Sequence, residues 1–377
     1  RVHRDVLRQR TENLAEVVRR DPSNARARLR LALSYLQYFD VLQSTARNPM
    51  PLDQIRDAAN ASAFASPEEL RQWLDKAVGR NLRLLDASLA HLKHGLRLCP
   101  LAGDGYITLA ELIFLEGRSD AIRTVLHQQA ARVRPFSPLV HFALGVEAWR
   151  KTARLAGALQ ALPAEVPQAE RYRKELERSY QAALGHWRFA FQRDRSMQRR
   201  LAELLAPLVP AQFVVDQFKP DRVALQEIVR AYRAAGRAAD VSYALRRYAD
   251  ALVADARKPD NPKPVNDWIA AARVFEALRD SQAVMDCYRA ALASAPNSFK
   301  AHRAFGRWLL EAGEYALAEQ HLRWCLKYDP TDRELREMAE RAFRSAHEVQ
   351  ERTDAGVRPA ALRVSGERRS VLGGVRR

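Results

Sequence analysis

The chain has 377 residues, 47% hydrophobic and 28% charged, a balance that suits a folded protein and is too apolar for a disordered one. Its 62 Lys and Arg outnumber 45 Asp and Glu, for a formal net charge of +17, and only nine of those cations are lysine. Fifteen glycines and three separated cysteines, Cys99, Cys287 and Cys325, exclude a glycine-rich fibre and a disulfide scaffold, and no apolar run reaches the roughly 18 residues of a membrane span.

In chain order, nearly every segment places apolar residues at helical spacing, and no period-2 strand pattern stands out. Asp21-Pro22 ends a first helix, and Arg26 to Phe39 reads as the next. An insertion over 40–80 then separates the two helices of an early hairpin. Within it, Ser66-Pro67-Glu68-Glu69 supplies an N-cap, a Pro at N1 and a Glu at N3, predicting the start of a long helix. Cys99-Pro100 closes a helix, and Gly105 to Glu116 and Pro138 to Trp149 read as two more. A second insertion, 151–170, carries Pro163 and Pro167 and precedes a long helix ending near Asp194. Pro207 to Pro220 reads as a break, Val223 to Ala235 as a helix, and the Pro-rich 258–264 as an extended, exposed linker.

The period is clearest after that linker. Pro296 and Pro330 each follow a helix and lie 34 residues apart. Phe305-Gly306, the turn Gly313-Glu314-Tyr315, Ala318 and Asp329-Pro330 mark one unit; Trp268, Ala271-Ala272 and Phe275 mark the one before it. Small residues let two helices approach, bulky ones fill the groove between hairpins, and proline stops continuation. These two units resemble tetratricopeptide (TPR) repeats, with Val284 departing from the usual small alanine. Leu31-Ala32, Leu109-Ala110, Leu144-Gly145 and Tyr232 with Gly236 resemble degenerate copies. The resemblance implies an all-α fold, an α-solenoid of about six or seven TPR-like hairpins. The expected layout is degenerate repeats over 1–206, a linker-containing hairpin over 207–264, two clear units and a capping helix over 265–351, and a basic disordered tail over 352–377.

Catalytic, cofactor and metal signatures are missing from the sequence. There is no P-loop, Gly103-Asp104-Gly105 does not extend to a dinucleotide fingerprint, and no H-E-x-x-H or G-x-S-x-G occurs. His91 and His94 share a helical face without further ligands at metal spacing. Cys287 and Cys325 fit buried packing positions. No cofactor is expected, and the chain reads as a non-catalytic scaffold for a protein or acidic peptide.

In the TPR family, ligands contact the second, fifth, ninth and twelfth positions of the first helix. Carried over, these are Lys300, Arg303, Arg307 and Leu310 in the last unit, and Asn266, Ile269, Arg273 and Glu276 in the one before. Gln226, Arg230 and Arg233 would join from a weaker hairpin. The resulting groove would be basic and suited to carboxylates or phosphates. Ala304 stands where the carboxylate-clamp arginine of some relatives would sit, so that function is not carried over. An earlier groove, Asp104, Ile107, Glu111 and Phe114, would be acidic and apolar.

Two further readings compete. The segments 99–117 and 213–221 are faintly similar to the soluble TPR tail of bacterial membrane-bound O-antigen ligase-like proteins of cell-surface polysaccharide assembly. The first residue, Arg1, fits a mature form or a piece of something longer, located in the cytoplasm or on the soluble face of a membrane protein. A membrane enters only if the chain is part of such a larger protein. The second is non-specific nucleic-acid binding: residues 1–30 carry nine Arg against four acids, and 352–377 seven against two. Arginine bias with abundant alanine also fits a GC-rich genome, which lowers the weight of that charge.

Overall fold

The computed structural model describes residues 2–46, 49–62, 64–117, 120–163 and 166–354. Among them the regular structure is helical, with no strand. The chain divides into two compact units: Arg1–Pro220 with Arg230–Arg237, and Asp221–Val229 with Ala238–Arg377. No described helix is long and apolar enough to cross a membrane.

The first unit begins with α1 (Val2–Arg20), which packs on α2 (Ala25–Ser44). Asn24 caps α2 by accepting from the Ala27 amide at 2.9 Å. α2 pairs with α5 (Leu82–Leu98), and the insertion between them folds into α3 (Leu52–Ala61) and α4 (Pro67–Val78). The predicted cap holds: Ser66 Oγ accepts from the Glu69 amide, and Glu69 accepts from the Ala65 amide at 2.6 Å. The helix it starts is not long. α4 stops after twelve residues because Gly79 takes a left-handed φ of 63° that side chains resist. The insertion is part of the core, with Ile55 and Leu74 fully buried beside Phe39, Leu85 and Leu112.

The next hairpins are α6 (Gly103–Leu112) with α7 (Asp120–Val133), and α8 (Pro138–Gln160) with α9 (Pro167–Arg193). The first ten residues of the insertion expected over 151–170 instead extend α8, since no proline interrupts them. Asp194 then caps α10 (Arg195–Leu205) by accepting from the Ser196 amide at 2.7 Å. The expected break over 207–220 contains a further helix, α11 (Ala211–Phe218), opened by Pro210 and closed by Lys219 at a φ of 47°. Its Val214, Val215 and Phe218 are buried, and Phe218 stacks on Phe191.

The division between units falls inside α12 (Arg222–Ala234). In the second unit, α13 (Ala238–Ala256) packs on α14 (Pro264–Ala277), and Gln226 of α12 donates to the Tyr248 hydroxyl of α13. The Pro-rich 258–264 is exposed but not an extended linker. Asn261 Nδ2 donates to the Asp255 carbonyl and to Asp267, pinning a turn between the two helices. The two clear repeats follow: α14 with α15 (Ser281–Ser294), and α16 (Phe299–Ala312) with α17 (Tyr315–Tyr328). Asp280 caps α15, Ser298 caps α16, and Gly313 at a φ of 84° ends it. The last helix, α18 (Arg333–Asp354), covers α17 with buried Leu335, Ala339 and Ala342. It runs slightly past the expected start of the basic tail, and residues 355–377 lie outside the described residues. Each unit is therefore an array of TPR-like antiparallel hairpins, the all-α architecture expected from the sequence.

Candidate functional site

In the second unit, α14 and α16 form the walls of a cleft of about 300 Å³, lined by Arg273, Glu276, Tyr288, Ala304, Arg307, Trp308 and Glu311. The helical period explains the selection. Arg273 and Glu276, like Ala304, Arg307 and Glu311, recur every three or four residues and so share one face of their helix. Tyr288 enters from α15 and forms the floor, stacked 5.2 Å from Phe305 and tilted against Trp308. Burial, then the nearby Glu276 carboxylate, pushes the Tyr288 phenol up to about 12, so it stays a neutral donor.

Of the residues named from sequence, Arg273 and Arg307 meet in this cleft. Arg307 also pairs with Glu311 one turn on, at 3.1 Å. Asn266 and Lys300 join each other instead, with Lys300 Nζ donating to Asn266 Oδ1 at 2.6 Å. Arg303 faces the start of α18 and is held by Asp332 at 3.1 Å and Glu334 at 2.6 Å. Arg230 and Arg233 are exposed on α12 but belong to the first unit. Ile269 and Leu310, expected at the surface, are buried in the core. Helical position assigned them to the groove, while their apolar character placed them beneath it.

The cleft is therefore not uniformly basic. It carries two arginines and two glutamates around an aromatic floor. Sequence reasoning assigned Phe305 and its neighbours to packing and passed over Tyr288 and Trp308; two aromatics 20 residues apart on successive helices, framed by Arg and Glu at helical spacing, were the available signal.

In the first unit the expected acidic groove is altered by the insertion. Ile107 and Phe114 are buried, and Glu111 is ion-paired with Arg56 of α3, which is itself 3% exposed. Nearby, Arg123 of α7 pairs with Glu147 of α8, and His127 is buried with neither ring nitrogen hydrogen-bonded. Burial, outweighing Glu147 and Glu111, lowers the His127 pKa, so the ring is neutral. Cys287 and Cys325 are free thiols, both pushed up to about 11 by burial, as packing residues rather than nucleophiles require. Among the described residues no group of three or more His, Cys, Asp or Glu is arranged to hold a metal ion.

No family model matches the chain, and no curated protein matches it. Solved helical-repeat structures do. One is the Cut9-Hcn1 hetero-tetramer of the APC/C, at 15% identity over 90% of this chain and 54% of that one, with a TM-score of 0.27. Another is the human IFIT1 dimer with m7Gppp-AAAA, at 15% identity over 90% of this chain and 68% of that one, with a TM-score of 0.28. The TPR domain of P58IPK matches at 15% identity over 92% of this chain and 95% of that one, with a TM-score of 0.26. The chain thus spans about half the length of the Cut9-Hcn1 chain it matches. The fold assignment rests on the hairpins themselves, whose register the chain repeats internally.

Proposed function

We propose that the protein is a non-catalytic helical-repeat scaffold that holds a protein partner, by a short peptide segment, in the α14–α16 cleft. The observation that carries this reading is the lining: Trp308 and Tyr288 beneath Arg273 and Arg307. Tryptophan, tyrosine and arginine supply most of the binding energy at protein interfaces, because they pair large apolar area with a directed polar group. Glu276 and Glu311 add acceptors, so the fitting peptide carries an apolar anchor flanked by charges of both signs. Bulk nucleic acid is a poorer occupant of this cleft, since Arg307 is already paired with Glu311 and Glu276 adds a second carboxylate to the lining.

The test is affinity capture from the native host on the full chain, followed by mass spectrometry, with Arg273→Glu/Arg307→Glu in parallel. Arg303 is left intact because it anchors the start of α18. The main captured partner should be lost from the double variant while the helical circular dichroism is unchanged. Undiminished capture would reject this cleft as the site.

A further inference from the structure

The turns that join a second helix to the next first helix follow one pattern. Residues 21–24, 99–102, 134–137 and 295–298 each close with a hydrogen bond from the fourth amide to the first carbonyl, at 3.1–3.2 Å. Each has proline or its like at the second place: Pro22, Pro100, Pro135 and Pro296. The third place faces solvent in all four, as Ser23, Leu101, Phe136 and Asn297. At Ser23 a polar side chain serves the turn, its Oγ donating to Asp21 at 2.7 Å. Thr331 does the same for Asp329 at 2.8 Å, on the far side of Pro330. Leu101 and Phe136 have no group that could make this bond. At 69% and 78% exposure they are the most exposed large apolar side chains of the described residues.

These two turns are neighbours in the first unit, and both are internal, with a packed helix before and after each. Arg134 Nε donates to the Leu101 carbonyl at 3.5 Å, and Ser137 Oγ to Asp104 at 3.4 Å. A Cβ on Gly103 would run into the Arg134 side chain, so the glycine lets the second turn lie against the start of α6. Leu98, 42% exposed, ends α5 just before Leu101 and widens the apolar edge. Cations surround it. Arg97 and Arg132 are exposed in the last turns of α5 and α7. Arg26 of α2 and Arg134 line, together with Leu101, a groove of about 660 Å³. None of these four arginines is ion-paired among the described residues, and Asp104 is the one acid within 97–104 and 132–137.

We propose that this edge of the first unit docks on the surface of an anionic bilayer, with Leu101 and Phe136 entering between the headgroups and Arg26, Arg97, Arg132 and Arg134 meeting lipid phosphates. Single exposed apolar side chains are ordinary on protein surfaces. Two of them at one turn position, in neighbouring turns and in place of a hydrogen-bonding residue, form a patch that calls for an apolar partner. Shape and charge select that partner. A turn tip offers a projecting apolar point, whereas partner proteins bind through packed, shape-matched surface. A bilayer requires only apolar side chains at acyl depth and cations at phosphate height. Two tips and four cations make a peripheral, reversible contact. A second copy of the chain would bring arginine against arginine along this edge, which works against self-association.

The edge lies in the first unit and the α14–α16 cleft in the second, so the two proposals stand or fall separately. The test is cosedimentation of the full chain with vesicles of phosphatidylcholine, alone or mixed with phosphatidylglycerol. The mixed vesicles should bind at least about tenfold more tightly. Leu101→Ser/Phe136→Ser leaves the net charge at +17 and should weaken that binding at least about tenfold. Arg97→Gln/Arg132→Gln should weaken it more than Arg289→Gln/Arg341→Gln, an equal loss of charge in the second unit. All these positions are exposed, and Ser23 shows that the turn accepts serine, so circular dichroism should stay native. Equal affinity for the two vesicles, no binding of either, or equal effects of the two arginine pairs would overturn the proposal. Unchanged affinity of the serine variant would overturn it too, leaving only the general attraction of a cationic chain. So would a protein partner, or self-association in sedimentation, that the serine variant abolishes while vesicle binding persists.

Discussion

Gly145 of α8 shows how tightly single residues set the hairpin spacing. A Cβ there would lie 2.3 Å from the indole of Trp187 on α9, a distance that side chains do not tolerate. Trp187 cannot retreat: it is fully buried, its indole N–H donates to the Phe142 carbonyl at 3.3 Å, and Trp149 packs against it at 5.4 Å. Gly145→Ala should therefore destabilise the first unit by about 1–3 kcal/mol despite the better helix propensity of alanine, as overpacked cores do. Urea denaturation followed by tryptophan fluorescence measures this; an unchanged midpoint would show that α8 and α9 can separate without cost. The glycine was legible in the sequence as one of the small repeat positions. The indole it accommodates was not, because Trp187 lies 42 residues away and only packing brings the two together.

Between elements, two hairpins carry the same histidine clasp. His302 Nε2 lies 2.9 Å from the Pro296 carbonyl, which can only accept, so that nitrogen carries the proton and Nδ1 accepts from His321 Nδ1 at 2.8 Å. His302 also stacks on Trp324 at 3.8 Å. In α8 and α9, His141, Pro135, His186 and Phe189 repeat the arrangement, with an Nδ1–Nδ1 distance of 3.0 Å and a ring separation of 3.8 Å. Burial first, then the facing His302, lowers the His321 pKa from 6.5 to about 4. The unfolded chain therefore takes up this proton before the folded one, and stability falls as pH drops from about 6.5, levelling off near 4. His321→Asn keeps a donor facing His302 and removes the titration. It should flatten part of the acid loss of stability, read from urea midpoints between pH 7 and 4 on a roughly half-unit grid; an identical acid slope would show that the clasp does not couple to folding. The loss is reduced rather than abolished, because His91, His127 and His186 are also held below their usual range by burial.

For the whole molecule, the contacts run mainly between neighbouring helices, so stability is expected to be a sum of local terms. The C-terminal end of the second unit depends on α18, whose Leu335, Ala339 and Ala342 are buried. Leu335→Asp would place an unpaired carboxylate in that contact. Amide hydrogen exchange should then accelerate at least tenfold through α16, α17 and α18 while protection in α8 and α9 is unchanged. Equal loss of protection in both units would show one cooperative fold in place of a modular one. The positive charge belongs to this scale as well. The excess of +17 is a property of the whole chain, but Arg303 and Arg307 of the second unit are met by carboxylates, as are Arg8, Arg19 and Arg20 of α1.

What the sequence determined by itself is local. Caps such as Ser66 and Asp280, the stops at Gly313 and the prolines, and the 34-residue register all act within a few turns of chain, where spacing alone dictates geometry. Only the tertiary structure decided which of the expected groove residues remain available. Arg303 is committed to Asp332 and Glu334, Glu111 to Arg56 from an insertion 55 residues earlier, and Ile269 and Leu310 to the core. A side chain's partners are set by packing between distant helices, whereas helical register fixes only the face it occupies.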